Sequence, residues 1–470
     1  MTTVQEGNCL GQFPLFGIWP NLPFMNTLST RQIAFTALRE VHRGAYADTA
    51  IDRTLHKFKL SDHDRRLMTE LVYGSVRRQR SLDAIIDQIA DKKSPQQPRD
   101  LRCILHLGLY QLRYQQKIPV SAAVNTTVQL AKENGFPGLT GFVNGFLRQY
   151  IRLLEKTSDP LILPENLVER LGILYSFPNW VIEVWLSQLG QEETEKLCQW
   201  MNQTPTIDLR VNILRASVEM VESVFKKAGI LLHRIPHLPQ GLRLVGPAGP
   251  IQNLPGFTEG WWCIQDAAAQ LVGHLLDPRP GEVIIDVCAA PGGKTTHIAE
   301  LMGDNGKIYA CDRTPSRLRK LSENAQRLRL QSIEIFLGDS RNFTKFHHLA
   351  DRVLLDAPCS GLGTMHRHAD ARWRQNLSSV GDLAHIQREL ISHTANFVKP
   401  GGVLVYATCT LHPQENEDLI REFLHVNPQW EMEKPNLDFL DVSSPGWLKL
   451  WPHQQNMDGF FLVRLRKNKD

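Results

Sequence analysis

The chain has 470 residues, of which 42% are hydrophobic and 22% charged, and its formal net charge is +4. That length is too great for one core and predicts two to three domains, while the composition excludes a disordered or fibrous chain. No apolar run reaches the length of a membrane span. The first two dozen residues hold Pro14, Pro20 and Pro23 and no Lys or Arg, which excludes a secretory signal or transit peptide, so a cytoplasmic location is expected. The eight cysteines are widely scattered with no Cys-x-x-Cys pair. They are therefore expected as reduced thiols, with no zinc site.

Residues 1–25 read as a loop-like N-terminal extension, and Met25, directly before a helical pattern, is expected as the true start. Residues 26–157 are predicted all helical. Apolar positions recur at three- and four-residue intervals in Leu28–Leu38 (capped by Ser29 or Thr30), Asp64–Tyr73 and Leu101–Tyr110. This stretch holds 21 Lys or Arg against 12 Asp or Glu. Such an excess fits a polyanion partner, or equally a solvated basic helix face. Residues 157–164 read as a linker. Over 158–250 the pattern predicts a small α+β module, with two helices around 180–203, a strand at 207–212, a helix at 218–228 and a strand at 241–245.

From 251 to 470 apolar strands alternate with helical stretches, which predicts a mostly parallel α/β domain of Rossmann-like type. The strand Glu282–Val287 leads into the small-residue loop Cys288-Ala289-Ala290-Pro291-Gly292-Gly293-Lys294 and then a helix. Small residues admit a close backbone approach, and the helix N-terminus offers N–H donors there. The next two strands end in Asp312 and Asp339. With Asp286, three successive strand tips carry an acid, which describes a nucleoside-shaped site. A dinucleotide fold would need Gly-x-Gly-x-x-Gly, which is absent. A phosphate-binding P-loop is the nearer rival, since Gly293-Lys294-Thr295 matches its end, but Cys288 stands where its first glycine belongs. Two further apolar runs lead to Asp356-Ala357-Pro358-Cys359 and Thr408-Cys409. Each thiol alone is more simply a small buried hydrophobe; both at one rim of one sheet point to chemistry.

The segments Asp286–Lys294, Asp339, Asp356–Gly361 and Thr408-Cys409, with Gln265-Asp266 and Asp458-Gly459-Phe460-Phe461, resemble the S-adenosylmethionine-dependent RNA cytosine-5 methyltransferases. The basic helical region is similar to the NusB-like RNA-binding domain of that family's bacterial small-subunit rRNA enzymes. The resemblance implies a class I methyltransferase domain and S-adenosylmethionine as cofactor, held by residues 288–294, Asp312, Asp339 and Asp356. It implies a cytidine of 16S rRNA as substrate, naked or in a pre-ribosomal particle, with tRNA as the alternative. Neither a membrane nor a DNA partner is expected, and a monomer is. Thr410 and Ala350 depart from the family's usual Ser and bulkier apolar residue.

Carbon 5 of cytosine is a weak nucleophile until a thiolate adds at carbon 6, which divides one hard step into easier ones. An acid near N3 holds the base, and Asp356 occupies the family's position for it. The residues alone leave either cysteine as the nucleophile, since a Pro-Cys nucleophile as in DNA cytosine methyltransferases would nominate Cys359. The resemblance to the RNA enzymes nominates Cys409 and leaves Cys359 to assist release. Lys294 is a candidate contact to cofactor or base. Arg367, His368, Arg372 and Trp373 read as a polar loop, either solvated or placed to grip phosphates and stack a base. Gln414–Glu417 reads as a helix opening whose acids favour the dipole. A catalytically dead RNA-binding assembly factor is the rival from another class; the intact Asp312, Asp339, Asp356, Cys359 and Cys409 argue against it.

Overall fold

The computed structural model describes residues 28–157, 159–246, 248–434 and 446–469. The N-terminal extension and Met25 lie outside them.

The basic region is helical as its periodicity predicts, with helices Thr30–His42, Ala47–Lys57, Asp62–Arg77, Gln79–Ile89, Arg99–Tyr114, Val120–Glu133 and Thr140–Lys156. Ser29 caps the first, its side chain accepting from the Gln32 amide. Phe35, Leu38, Leu71, Leu105, Leu109 and Leu147 pack in the core. Gly74 lets Asp62–Arg77 lie directly on Tyr110, because a Cβ there would fall 2.0 Å from the Tyr110 Cζ.

Helices Leu167–Tyr175 and Asn179–Trp200 follow, the second broken at Gly190, whose φ is 71°. The middle module is a four-stranded antiparallel sheet of β1 (Asp208–Val211), β2 (Leu231–Arg234), β3 (Gly241–Val245) and β4 (Trp262–Ile264), in the order β2-β3-β1-β4. Helix Val218–Lys227 packs Val221 and Phe225 against Leu209, Leu242 and Trp262. The sequence pattern does not predict β2, an edge strand whose side chains are mostly exposed and so show no apolar alternation. β4 lies beyond residue 250, where the sequence reading ends this module, and still pairs with β1.

The C-terminal domain is built on β5 (Val283–Asp286), β6 (Lys307–Asp312), β7 (Ile333–Leu337), β8 (Ala350–Asp356), β9 (Val398–Thr408), β10 (Trp430–Met432), β11 (Trp447–Leu450) and β12 (Phe460–Lys467). The strand order is β10-β12-β9-β8-β5-β6-β7, and β11 also pairs with β12. β5 to β9 run parallel, while β12 is antiparallel to β9. The order reverses between β5, which continues to β6, and β8 on its other side. The crevice at the carboxyl ends of these strands is the usual ligand position in such sheets.

Arg210 on β1 fastens the middle sheet to this domain. Its fully buried guanidinium donates to both carboxylate oxygens of Glu300 at 2.9 and 2.7 Å, to the Thr296 hydroxyl at 3.0 Å and to the Gly293 carbonyl at 2.6 Å. All three acceptors lie on helix Gly293–Leu301, which opens directly after the small-residue loop. Removing one partner of a buried pair strands the other charge, at a cost of about 3–5 kcal/mol. Arg210→Ala is therefore expected to lower stability by about that amount in chemical denaturation. Arg210→Met with Glu300→Leu should recover most of the loss; equal instability of the single and double variants would refute the pairing argument.

Candidate active site

β8 and β9 pair with Leu354 opposite Val405 and Asp356 opposite Ala407. Both strands therefore end at one level, and the chain beyond each tip carries a thiol. The Cys359 and Cys409 sulfurs are 3.3 Å apart. They line the wall of a cavity of about 320 Å³ together with Cys288, Lys294, Asp312, Asp339, Asp356 and Phe460. Its volume and mixed lining suit a nucleoside-sized ligand.

The loop Cys288–Gly293 turns beneath this cavity. Ala289 and Ala290 pack on Leu318 and Leu321. Gly292 has φ 105° and touches Leu321, so a side chain there would be both strained and obstructed. Pro291 faces solvent. Of the loop Cys288–Gly293, then, Cys288 lines the cavity and the other residues do not. Lys294 extends from the first turn of the helix to Asp356, 2.6 Å away, and its ammonium lies over the Phe460 ring at 5.1 Å. Burial disfavours this cation, but the Asp356 charge and hydrogen bond outweigh it and hold its pKa above the lysine range.

Asp312 accepts from the Thr314 amide at 2.8 Å, and Arg317 stands 3.6 Å from its other oxygen. Asp339 is chelated by Arg341 through bonds of 3.0 and 2.6 Å, which holds its carboxyl below the usual range. Asp286 differs from the strand-tip reading. It is buried under the loop, off the cavity wall, and receives the Thr295 hydroxyl at 2.7 Å. Burial raises its pKa to about 7. It anchors the start of the helix and does not face a ligand.

The two thiols differ in their surroundings. The Cys409 pKa is lowered, first by a hydrogen bond from Cys359 and also by Lys294, against burial and the Asp356 and Asp458 charges. The Cys359 pKa is raised well above the thiol value by its bond to Cys409, by burial, and by the charges of Cys409 and Glu415. Both directions favour Cys409 as the sulfur with thiolate character.

Glu415 is the residue that the sequence reading misassigned. The helix-opening reading holds for Glu417, in the first turn of helix Glu417–Val426, but Glu415 precedes that helix and its carboxylate is buried against the residues that follow the two cysteines. It accepts from the Ser360 amide at 2.9 Å, the Ser360 hydroxyl, the Thr410 hydroxyl at 3.1 Å and the Gln387 amide at 3.0 Å. One carboxylate therefore ties together the residues that follow both cysteines. Thr410 keeps the hydroxyl this contact requires, so its departure from Ser is chemically neutral. Only its sequence proximity to Cys409 could have marked Glu415.

The polar loop after Cys359 also needs correction. Arg372 is fully buried and donates to the carbonyls of Arg77 and Ser176 at 3.1 and 3.0 Å, with Phe177 stacked beneath it at 4.0 Å. Trp373 donates to the Val76 carbonyl at 2.7 Å. Arg367 is held by Asp458 at 2.8 Å and Asp266 at 2.7 Å. These three side chains seal the seam between the domains and do not reach out to a phosphate. Among the described residues no cluster of His, Cys, Asp and Glu could hold a metal ion, and no helix is long and apolar enough to cross a membrane.

A parallel sheet with its crevice at the β5/β8 reversal, a basic helical domain and a paired-thiol rim define an S-adenosylmethionine-dependent RNA methyltransferase. Residues 28–152 match the NusB family, residues 177–252 the RsmF/B-like ferredoxin-like domain, and residues 273–466 the 16S rRNA methyltransferase RsmB/F model. A probable ribosomal RNA small subunit methyltransferase B of Synechocystis sp. is 50% identical over 448 residues, covering 94% of this chain and 100% of that protein. A ribosomal RNA small subunit methyltransferase B of Klebsiella pneumoniae is 35% identical over 95% of this chain and 100% of its own length. The crystal structure of PH0851 superposes with a TM-score of 0.80 at 29% identity, covering 94% of this chain and 99% of that one. The chain belongs to the RsmB/F family of 16S rRNA methyltransferases, and is an enzyme of that class.

Lys294 helps to lower the Cys409 pKa. Lys294→Met is expected to move the pH profile of Cys409 alkylation, followed by mass spectrometry, to higher pH. An unmoved profile would mean that Lys294 does not tune the thiol.

Proposed function

We propose that the enzyme methylates carbon 5 of a cytidine in 16S rRNA through a covalent bond between Cys409 and carbon 6 of the base. The observation that carries this reading is the thiol pair, 3.3 Å apart on the wall of the cavity that Asp356 and Lys294 also line.

The cofactor fits the cavity's donor set. Asp312, at the end of β6, has an oxygen left for ribose hydroxyls, and the backbone at Val287–Cys288 and Gly338–Ser340 frames the same space. Within the loop 288–294, Cys288 and Lys294 would border the cofactor and the residues between them would hold the loop in place, Asp339 would border it from the end of β7, and Asp356 borders the target base as well. S-adenosylmethionine, when bound, supplies the methyl group as an electrophile.

The chain's own groups perform the remaining steps. The Cys409 thiolate adds to carbon 6, and Asp356 with Lys294 holds the ring at N3 and the exocyclic amine while electron density shifts to carbon 5. Carbon 5 takes the methyl group, leaving a saturated carbon with one hydrogen. Loss of that proton to a base restores the 5,6 double bond as the carbon–sulfur bond breaks, returning the thiolate to Cys409. Cys359, in contact with Cys409, is placed to assist this release. A 16S rRNA substrate is favoured over tRNA by the family match and by the small-subunit rRNA names of the full-length relatives.

Cys409→Ala is expected to abolish methyl transfer to rRNA. Cys359→Ala is expected to accumulate a protein–RNA adduct that persists on a denaturing gel, and the reverse pattern would exchange the two roles. In the wild type, adduct formation should rise with pH through a value below that of an ordinary thiol, because only the thiolate attacks.

A further inference from the structure

His368 is the one member of the loop Arg367–Trp373 singled out from the sequence that keeps a ring nitrogen open. Its neighbours Arg367, Arg372 and Trp373 are bonded to protein groups. His368 stands on a loop whose backbone is tied to that of Cys409. The Gly363 amide donates to the Cys409 carbonyl at 2.9 Å, and one residue on, the Thr364 carbonyl receives the His368 amide at 3.1 Å. The His368 ring is oriented from the other domain. Its Nδ1 is 3.0 Å from the Asp48 carboxylate on helix Ala47–Lys57, and Asp48 also receives the Tyr73 hydroxyl. The side chain is 55% exposed, and among the described residues nothing bonds to its Nε2.

We propose that His368, aimed by Asp48 of the helical domain, binds a backbone phosphate of the RNA beside the target cytidine. The inference rests on the RNA methylation reading above. With its Nδ1–H donating to Asp48, a protonated ring presents its Nε2–H outward as a charge-assisted donor, the group that a phosphate oxygen accepts best. A carboxylate behind a histidine fixes the ring and favours its charged form, as it does for histidines that bind metals. The helical domain thereby contributes, through Asp48, to an RNA contact on the loop that follows Cys359.

The surrounding charges favour the cation. The hydrogen bond to Asp48 raises the His368 pKa, burial opposes it, and the charges of Asp48, Cys409 and Asp370 raise it further. Tyr73 keeps its proton, since burial and Asp48 raise its pKa. Arg367 is neutralised by Asp266 and Asp458. His366, two residues before His368, is held neutral by burial, with its pKa lowered to about 3. A histidine whose folded pKa is raised keeps its charge below that pKa and loses it as pH rises through it. RNA affinity should therefore fall as pH rises past the ordinary histidine range.

The test uses the full chain and transcribed 16S rRNA, with affinity measured from below to above the histidine range and S-adenosylhomocysteine binding as the control for folding. His368→Gln is expected to weaken RNA binding about tenfold at the lower pH and to flatten the pH dependence. His368→Arg should keep the affinity and lose the pH dependence. Asp48→Asn should give an intermediate loss, with the pH window moved downward. His368→Gln that binds RNA and S-adenosylhomocysteine as the wild type does would overturn the proposal alone. A wild type that neither binds nor methylates 16S rRNA would overturn the underlying substrate reading, and the proposal with it.

Discussion

The parallel register of β8 and β9, with Asp356 opposite Ala407, ends both strands at one level and leaves Cys359 and Cys409 facing each other across 3.3 Å. Two thiols that close cannot both ionise, so one proton is shared and its position makes them chemically unequal. The environment decides the inequality. Lys294 favours charge on Cys409, and Glu415 opposes charge on Cys359. A shift of one residue in this pairing would send the thiols to opposite faces of the sheet. The rest of the catalytic domain can be read as holding that register and its surrounding charges in place.

Buried charge is costly unless it is paired, and around this site it is paired across elements. Lys294 meets Asp356, joining the helix after the loop to the tip of β8. Arg210 meets Glu300, joining the middle sheet to that same helix. Arg367 meets both Asp266 and Asp458, joining the loop after Cys359 to the N-terminus of helix Ala267–Leu276 and to the turn before β12. Asp266, pushed to about 7 by burial and by Asp458, shows that this last cluster holds more carboxylate than one guanidinium balances. At Gly363 and Gly459 the backbones touch so closely that a Cβ on Gly363 would fall 2.0 Å from the Gly459 carbonyl oxygen.

Local signals made much of this legible. The helical period, the alternation of strands and helices, the small-residue loop and the two Cys-terminated runs are short-range patterns, and each corresponds to an observed element. Cys409, Cys359, Asp356, Lys294, Asp312 and Asp339 come together at one cavity because strand tips in a parallel sheet share a rim. What the sequence concealed depends on distant partners. Arg372 and Trp373 look like solvent-facing RNA grips until residues 77, 176 and 76 are seen to accept from them. Glu415 looks like a helix-start acid until Ser360, Thr410 and Gln387 converge on it. Asp286 shares its strand-tip position with Asp312 and Asp339, and only the packing of the loop above it decides that it faces inward.

Arg372 has a consequence for how such a chain can be divided. Its guanidinium donates to Arg77 in the helical domain, to Ser176, Met201 and Asn202 in the segment leading to the middle sheet, and to Met365 in its own domain. Modules joined only by a linker can be lost or exchanged over evolution with little penalty. Here, deleting the N-terminal modules would take away every acceptor of Arg372 named above except the Met365 carbonyl. Water would then solvate the arginine, so what such a deletion removes is the seam that Arg372 holds together.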